Sequence, residues 1–257
     1  MSQVKAIVLR SAGTNCDQES AHALRLAGAE PSVIHINQLL SKQVSLEPFS
    51  LMIIPGGFSY GDDVAAGKIL ANELRFKLRR SLDEFIAKGK RIIGICNGFQ
   101  VLVKTGYLPG TLEAILAKGG NPERTQTVTL GANDSGQFQC HWVRMKREKS
   151  ACKWLEDTDS YWELPIAHGE GKFVAQDART LASLEKNGQV VFRYKGTNPN
   201  GSANAIAGIC SADGNVVGLM PHPERHVILT QHPEWTRTAD KNKVPVGLQF
   251  FKAAVNN

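Results

Sequence analysis

No stretch of this sequence is apolar for long enough to cross a bilayer as a helix. The opening residues, MSQVKAIVLR, run straight into a strand-like segment without an apolar signal core or a small-residue cleavage site, so a cytoplasmic location is expected. Cysteines number five, at positions 16, 96, 140, 152 and 210. An odd count without metal-ligand spacing argues for reduced thiols, against a disulfide framework and against a bound metal. There is no Gly-x-x-x-x-Gly-Lys-Ser/Thr loop, and Gly56-Gly57 has no following Lys-Ser/Thr, so no nucleotide site is expected. Net charge is +6, with basic clusters at 77–80, 88–91 and 144–147. No zinc-finger spacing, aromatic RNA-binding signature or long basic arm accompanies them. They read as solvated faces, and nucleic acid is not an expected partner. Without a proline- or serine-rich linker or an internal repeat, residues 1–257 read as a single domain.

What the chain does have is Gly94-Ile95-Cys96-Asn97-Gly98, placed between an apolar run of strand length and a plausible helix. This is the pattern of a nucleophile elbow, a tight strand-to-helix turn that holds its central residue in strained backbone geometry. Small residues two positions either side avoid a clash, and Gly94 and Gly98 occupy those positions. The turn sets Cys96 at a helix N-terminus, where free N–H groups and the dipole favour a thiolate. The pentapeptide alone equally describes a buried cysteine between two turn glycines.

Around it the first half alternates strands and helices. Residues 4–9, 32–36, 51–54 and 91–95 read as strands, and 17–27 and 69–88 as helices. Repeated strand–helix units imply an α/β fold with a flavodoxin-like, doubly wound, mostly parallel sheet. Its site is expected at the carboxyl ends of the strands, where both the Gly57 loop and Cys96 fall. Residues 125–146 and 161–194 carry short β-rich runs between Gly, Asn and Asp, and are expected to extend the sheet with antiparallel strands.

A cysteine nucleophile needs a base, and the base needs an orienting acceptor. Two of the seven histidines open a His-Pro-Glu tripeptide, at 222–224 and 232–234. Only the first follows a strand-like run, 215–220. Residues two apart in extended backbone face the same way, so Glu224 can reach the His222 ring. His222 and Glu224 are therefore assigned to the site, and His232 and Glu234 to the surface.

Six ordered segments then share a resemblance. They are Gly13-Thr14-Asn15-Cys16-Asp17, residues 55–62 (PGGFSYGD), residues 94–100 (GICNGFQ), residues 133–138 (NDSGQF), residues 165–171 (PIAHGEG) and residues 221–225 (PHPER). Together they resemble the class I glutamine amidotransferase family, and within it the glutaminase subunits of phosphoribosylformylglycinamidine synthases of purine biosynthesis. The resemblance implies that Cys96 attacks the amide of glutamine while His222 and Glu224 complete a catalytic triad. It implies an oxyanion hole from the N–H groups of Gly57 and Asn97, and substrate contacts from Gln100 and Gly169. It further implies ammonia transfer to a separate synthetase subunit that uses ATP and magnesium to convert formylglycinamide ribonucleotide to the amidine. A small third subunit belongs to some such assemblies. No cofactor is implied for this chain. The segment 227–244 is longer than in short members of the family, and Asp134 and Gln137 stand where many relatives carry basic residues.

Overall fold

The computed structural model describes residues 3–110, 126–237 and 242–256. Its centre is built from strands that are apolar throughout apart from charged residues at some ends: β1 (Lys5–Arg10), β3 (Leu51–Ile54), β4 (Arg91–Ile95) and β11 (Val216–Leu219). Such runs suit strands covered on both faces. All four residues of β3 and of β11 are buried. With β2 (Glu30–His35) they form the parallel part of a nine-stranded sheet, in the order β2-β1-β3-β4-β11-β10-β9-β6-β7. From β11 outward every pairing is antiparallel, through β10 (Ile206–Cys210), β9 (Val190–Tyr194), β6 (Gln139–Arg147) and β7 (Tyr161–His168). The expected parallel sheet with antiparallel extensions is therefore the observed one.

Two strands depart from that expectation: β5 (Val128–Gly131) and β8 (Lys172–Ala175) pair only with each other. The helices are α1 (Asp17–Leu26), α2 (Ile36–Leu40), α3 (Lys68–Lys77), α4 (Arg79–Ala87), α5 (Asn97–Thr105), α6 (Ala178–Lys186) and α7 (Val246–Asn256). The long helix expected over 69–88 is in fact two, because Leu78 leaves helical geometry (φ −113°, ψ 3°). Leu74, Leu78 and Leu82 are all buried across the break. Helix α2 cuts the second strand short. His35 Nδ1 accepts from the Asn37 N–H, and Gln38 returns a bond to the His35 N–H, which closes a capping box.

One contiguous core joins both parts of the sheet, from Ile7 and Leu24 to Trp162, Phe192 and Phe250. Among the described residues no helix is long and apolar enough to cross a membrane. The cysteines are unpaired, with Cys140 exposed and the other four buried.

Candidate active site

The elbow forms as its glycines require. Cys96 sits at φ 51°, ψ −106°, a region that costs a non-glycine residue about 1–3 kcal/mol. Its N–H donates to Leu219 O of β11 at 2.8 Å, and its carbonyl accepts from Phe99 and Gln100 N–H at 3.0 and 3.1 Å. A Cβ on Gly94 would lie 2.5 Å from the Gly98 carbonyl oxygen, the clash anticipated within the turn. Gly98 answers to a second neighbour as well. A Cβ there would lie 1.8 Å from Ile54 O, so β3 needs that glycine as much as the turn does.

Because β11 runs parallel to β4, with Leu219 opposite Ile95, the chain leaving β11 emerges at the same edge as Cys96. His222 is fixed there by its own N–H, which donates to Pro165 O of β7 at 2.9 Å. His222 Nδ1 and Glu224 Oε1 lie 2.6 Å apart, and both side chains are sealed from solvent. Burial opposes protonation of this imidazole, but the Glu224 carboxylate and the sulfurs of Cys96 and Cys16 outweigh it and raise its pKa well above the ordinary value. A Cβ on Gly56 would lie 2.9 Å from His222 Cε1 and 3.4 Å from Cys96 Cβ, so ring and thiol side chain flank the same bare backbone. Cys96 Sγ also faces Ala167 O of β7 at 3.7 Å.

The second His-Pro-Glu copy goes elsewhere. His232 Nε2 meets Glu163 Oε2 at 2.9 Å, and its ring packs edge-on to Trp142. Glu234 is exposed beside Arg237. His232 is thus more covered than a surface assignment suggested, because Trp142 of β6 shelters it. Residues 238–241 of the long segment lie outside the described residues. Leu229, His232 and residues 243–246 line a cavity of about 450 Å3 against β6 and β7, and none of Cys96, His222 and Glu224 borders it.

The loop after β3 is braced rather than free. Gly57 (φ 140°) bridges to Thr14, Phe58 N–H donates to Gly13 O, and Cys16 N–H donates to Gly56 O. The buried Asn97 side chain ties the other side. Its Oδ1 accepts from the Ser59 N–H at 3.2 Å and from the Ser59 hydroxyl, while Nδ2 donates to Asp62 Oδ1 and Gln100 Oε1. Gln100 in turn donates to Glu170 O at 2.5 Å, which links α5 to the Gly169–Glu170 turn. The Gly57 loop and Asn97 are thereby tied together next to Cys96.

Several participants were not singled out from the sequence. Asn133 clamps the 168–171 turn: Nδ2 donates to His168 O and Gln137 O, and Oδ1 accepts from Gly171 N–H and His168 Nδ1–H. That leaves His168 Nε2 bare and buried. Burial, with the nearby His222 charge, lowers the His168 pKa to about 4. Cys16 is the other surprise, for its sulfur lies beside His222 and accepts a bond from Arg225 at 3.2 Å. Membership of the quoted segments was the only signal for either residue.

Residues 3–256 match the family model described as the CobB/CobQ-like glutamine amidotransferase domain. The chain is 42% identical to the phosphoribosylformylglycinamidine synthase subunit PurQ of Treponema denticola, covering 98% of both chains. It is 44% identical to the subunit of the same name from Dehalococcoides mccartyi, over 99% of this chain and 98% of that one. Among solved structures it resembles a chain in the structure of PurLQS from Thermotoga maritima, with a TM-score of 0.76, 33% identity and 99% of each chain covered.

Proposed function

Because the chain belongs to the CobB/CobQ-like glutamine amidotransferase family, we propose that it is the glutaminase subunit of a phosphoribosylformylglycinamidine synthase. In this reading the whole chain works as one amidotransferase domain, supported by its contiguous core and the end-to-end family match. The observation that carries the chemistry is the sealed His222–Glu224 pair at the edge where the elbow presents Cys96.

Cys96 thiolate attacks the side-chain amide carbon of glutamine. The developing oxyanion is received by the N–H groups of Gly57 and Asn97; one such donor contributes about 3 kcal/mol to transition-state stabilisation. His222, protonated and held by Glu224, gives its proton to the departing ammonia and leaves a thioester on Cys96. It then takes a proton from water, which attacks the thioester and releases glutamate. Gln100 contacts the substrate and the backbone of Gly169 its amino-acid end, a reading supported by the Gln100–Glu170 bond that brings α5 to that turn.

Ammonia passes to a synthetase subunit, where ATP and magnesium drive conversion of formylglycinamide ribonucleotide to the amidine. The relatives' names and the PurLQS assembly support that partner and a small third subunit. The test mixes this chain with a synthetase subunit, the ribonucleotide, ATP, magnesium and glutamine. Glutamate release matched by amidine formation is expected. Failure of this chain to support glutamine-dependent product, where free ammonia still supports it, would overturn the reading.

A further inference from the structure

The site contains a second thiol that the proposed chemistry does not use. Cys16 is buried at the entry to α1. Its S–H donates to Asn15 Oδ1 at 3.1 Å, and the Arg225 guanidinium donates to its sulfur. Cys16 Sγ, a ring nitrogen of His222 and a carboxylate oxygen of Glu224 lie within 4.8 Å of one another. Among the described residues they are the one such group of three His, Cys, Asp or Glu side chains. A separate observation points to a ligand. His222 Nε2 and Glu224 Oε2 are both buried without a hydrogen-bond partner, on side chains only 2% and 0% exposed. Sulfur, imidazole and carboxylate thus lie together in a site sealed from solvent, with one Glu224 oxygen uncommitted.

We propose that Cys16, His222 and Glu224 form a binding site for a zinc-class divalent cation, and that its occupancy blocks the glutaminase reaction. A donor set of S, N and O suits zinc or cobalt, whereas magnesium and calcium favour oxygen alone. Zinc bonds of roughly 2.0–2.3 Å place neighbouring donors about 3.5 Å apart, so Cys16 draws in by about an ångström and the cation takes the place of the hydrogen bond between His222 and Glu224. Binding exchanges protons for the metal: Cys16 gives up its thiol proton and His222 the proton it carries, so occupancy grows as pH rises. Burial raises the Cys16 pKa and Arg225 beside the sulfur offsets only part of that, so the thiol proton leaves in exchange for the metal. The bound cation takes His222 out of proton transfer. That inhibitory consequence rests on the role proposed above for His222; the binding itself does not.

Cobalt(II) is the probe, because its thiolate bonds absorb in the near ultraviolet. The experiment uses full-length chain carrying Cys140→Ser, which removes the exposed thiol. With Cys96→Ala added, cobalt is expected to give the thiolate band at one equivalent, and zinc to displace it. Adding Cys16→Ser should abolish the band, with Cys16→Ala and circular dichroism showing that a folded chain gives the same result. In protein retaining Cys96, buffered zinc should suppress glutamate release, and a chelator should restore it. Cys16→Ser should raise the inhibiting zinc concentration by roughly tenfold or more, relative to that variant's own activity. A band that survives loss of Cys16, or that fails to form in the Cys96→Ala protein, overturns the proposal. Should the chain prove not to hydrolyse glutamine, the cobalt titration still decides.

Discussion

The imidazole of His222 and the carboxylate of Glu224 meet at 2.6 Å in a pocket sealed from solvent, although only a proline separates them in the chain. The short link means that the acceptor travels with the base. Glu224→Gln should keep the fold but lower kcat for glutamine hydrolysis by roughly 10²–10⁴-fold, because the amide neither holds the tautomer nor stabilises the imidazolium. Steady-state kinetics should place the loss in kcat rather than KM.

Cys96→Ala should abolish glutamine-dependent turnover, by roughly a thousandfold or more. The assembled synthetase should still make product from added ammonia. Cys16, Cys140, Cys152 and Cys210 do not substitute, since none of them occupies the elbow. Retained glutamate release by the Cys96→Ala protein would exclude the covalent route.

Two glycine substitutions should separate fold from chemistry. Gly98→Ala puts a methyl 1.8 Å from Ile54 O, a clash with backbone that cannot turn aside. A loss of at least about 3 kcal/mol in urea unfolding is expected. Gly56→Ala meets side-chain atoms instead, His222 Cε1 at 2.9 Å and Cys16 Sγ at 3.2 Å. It should stay folded and lose activity by displacing the ring.

Acid should destabilise the protein through His168. Its pKa falls from 6.5 to about 4 on folding, so the unfolded chain binds more protons between those values. Stability is therefore lost as pH drops through that window, by about 3 kcal/mol for this residue. His222 has a raised pKa. Its contribution is complete below 6.5 and fades as pH rises above it. Denaturant titrations across pH should show the acid limb flattened in His168→Gln.

Much of this site was legible because local rules wrote it. Apolar strands, glycine punctuation and the elbow spacing fix where Cys96 sits, and a strand before His222 but not before His232 singles out the copy that the fold sets beside Cys96. What local rules do not encode stayed hidden. No breaker residue marks Leu78, and nothing in the local sequence announces the break there. Helix α6 was legible but lay in a stretch read as β-rich: Asp177 caps it, and Ala178–Lys186 is rich in helix formers. The Asn97 brace, the Asn133 clamp and the approach of Cys16 to His222 join residues from 35 to more than 200 positions apart. A sequence shows such residues, but not that they meet.

The path of the chain through the sheet also has a meaning in time. During synthesis Cys96 leaves the ribosome well before Ala167 and Pro165, and β11 comes later still. Until β11 arrives, β4 has an open flank and the Cys96 N–H lacks the Leu219 carbonyl that receives it. His222 and Glu224 follow directly after that strand. A nascent chain therefore lacks the partners proposed for Cys96 until the last described strand slots into the middle of the sheet.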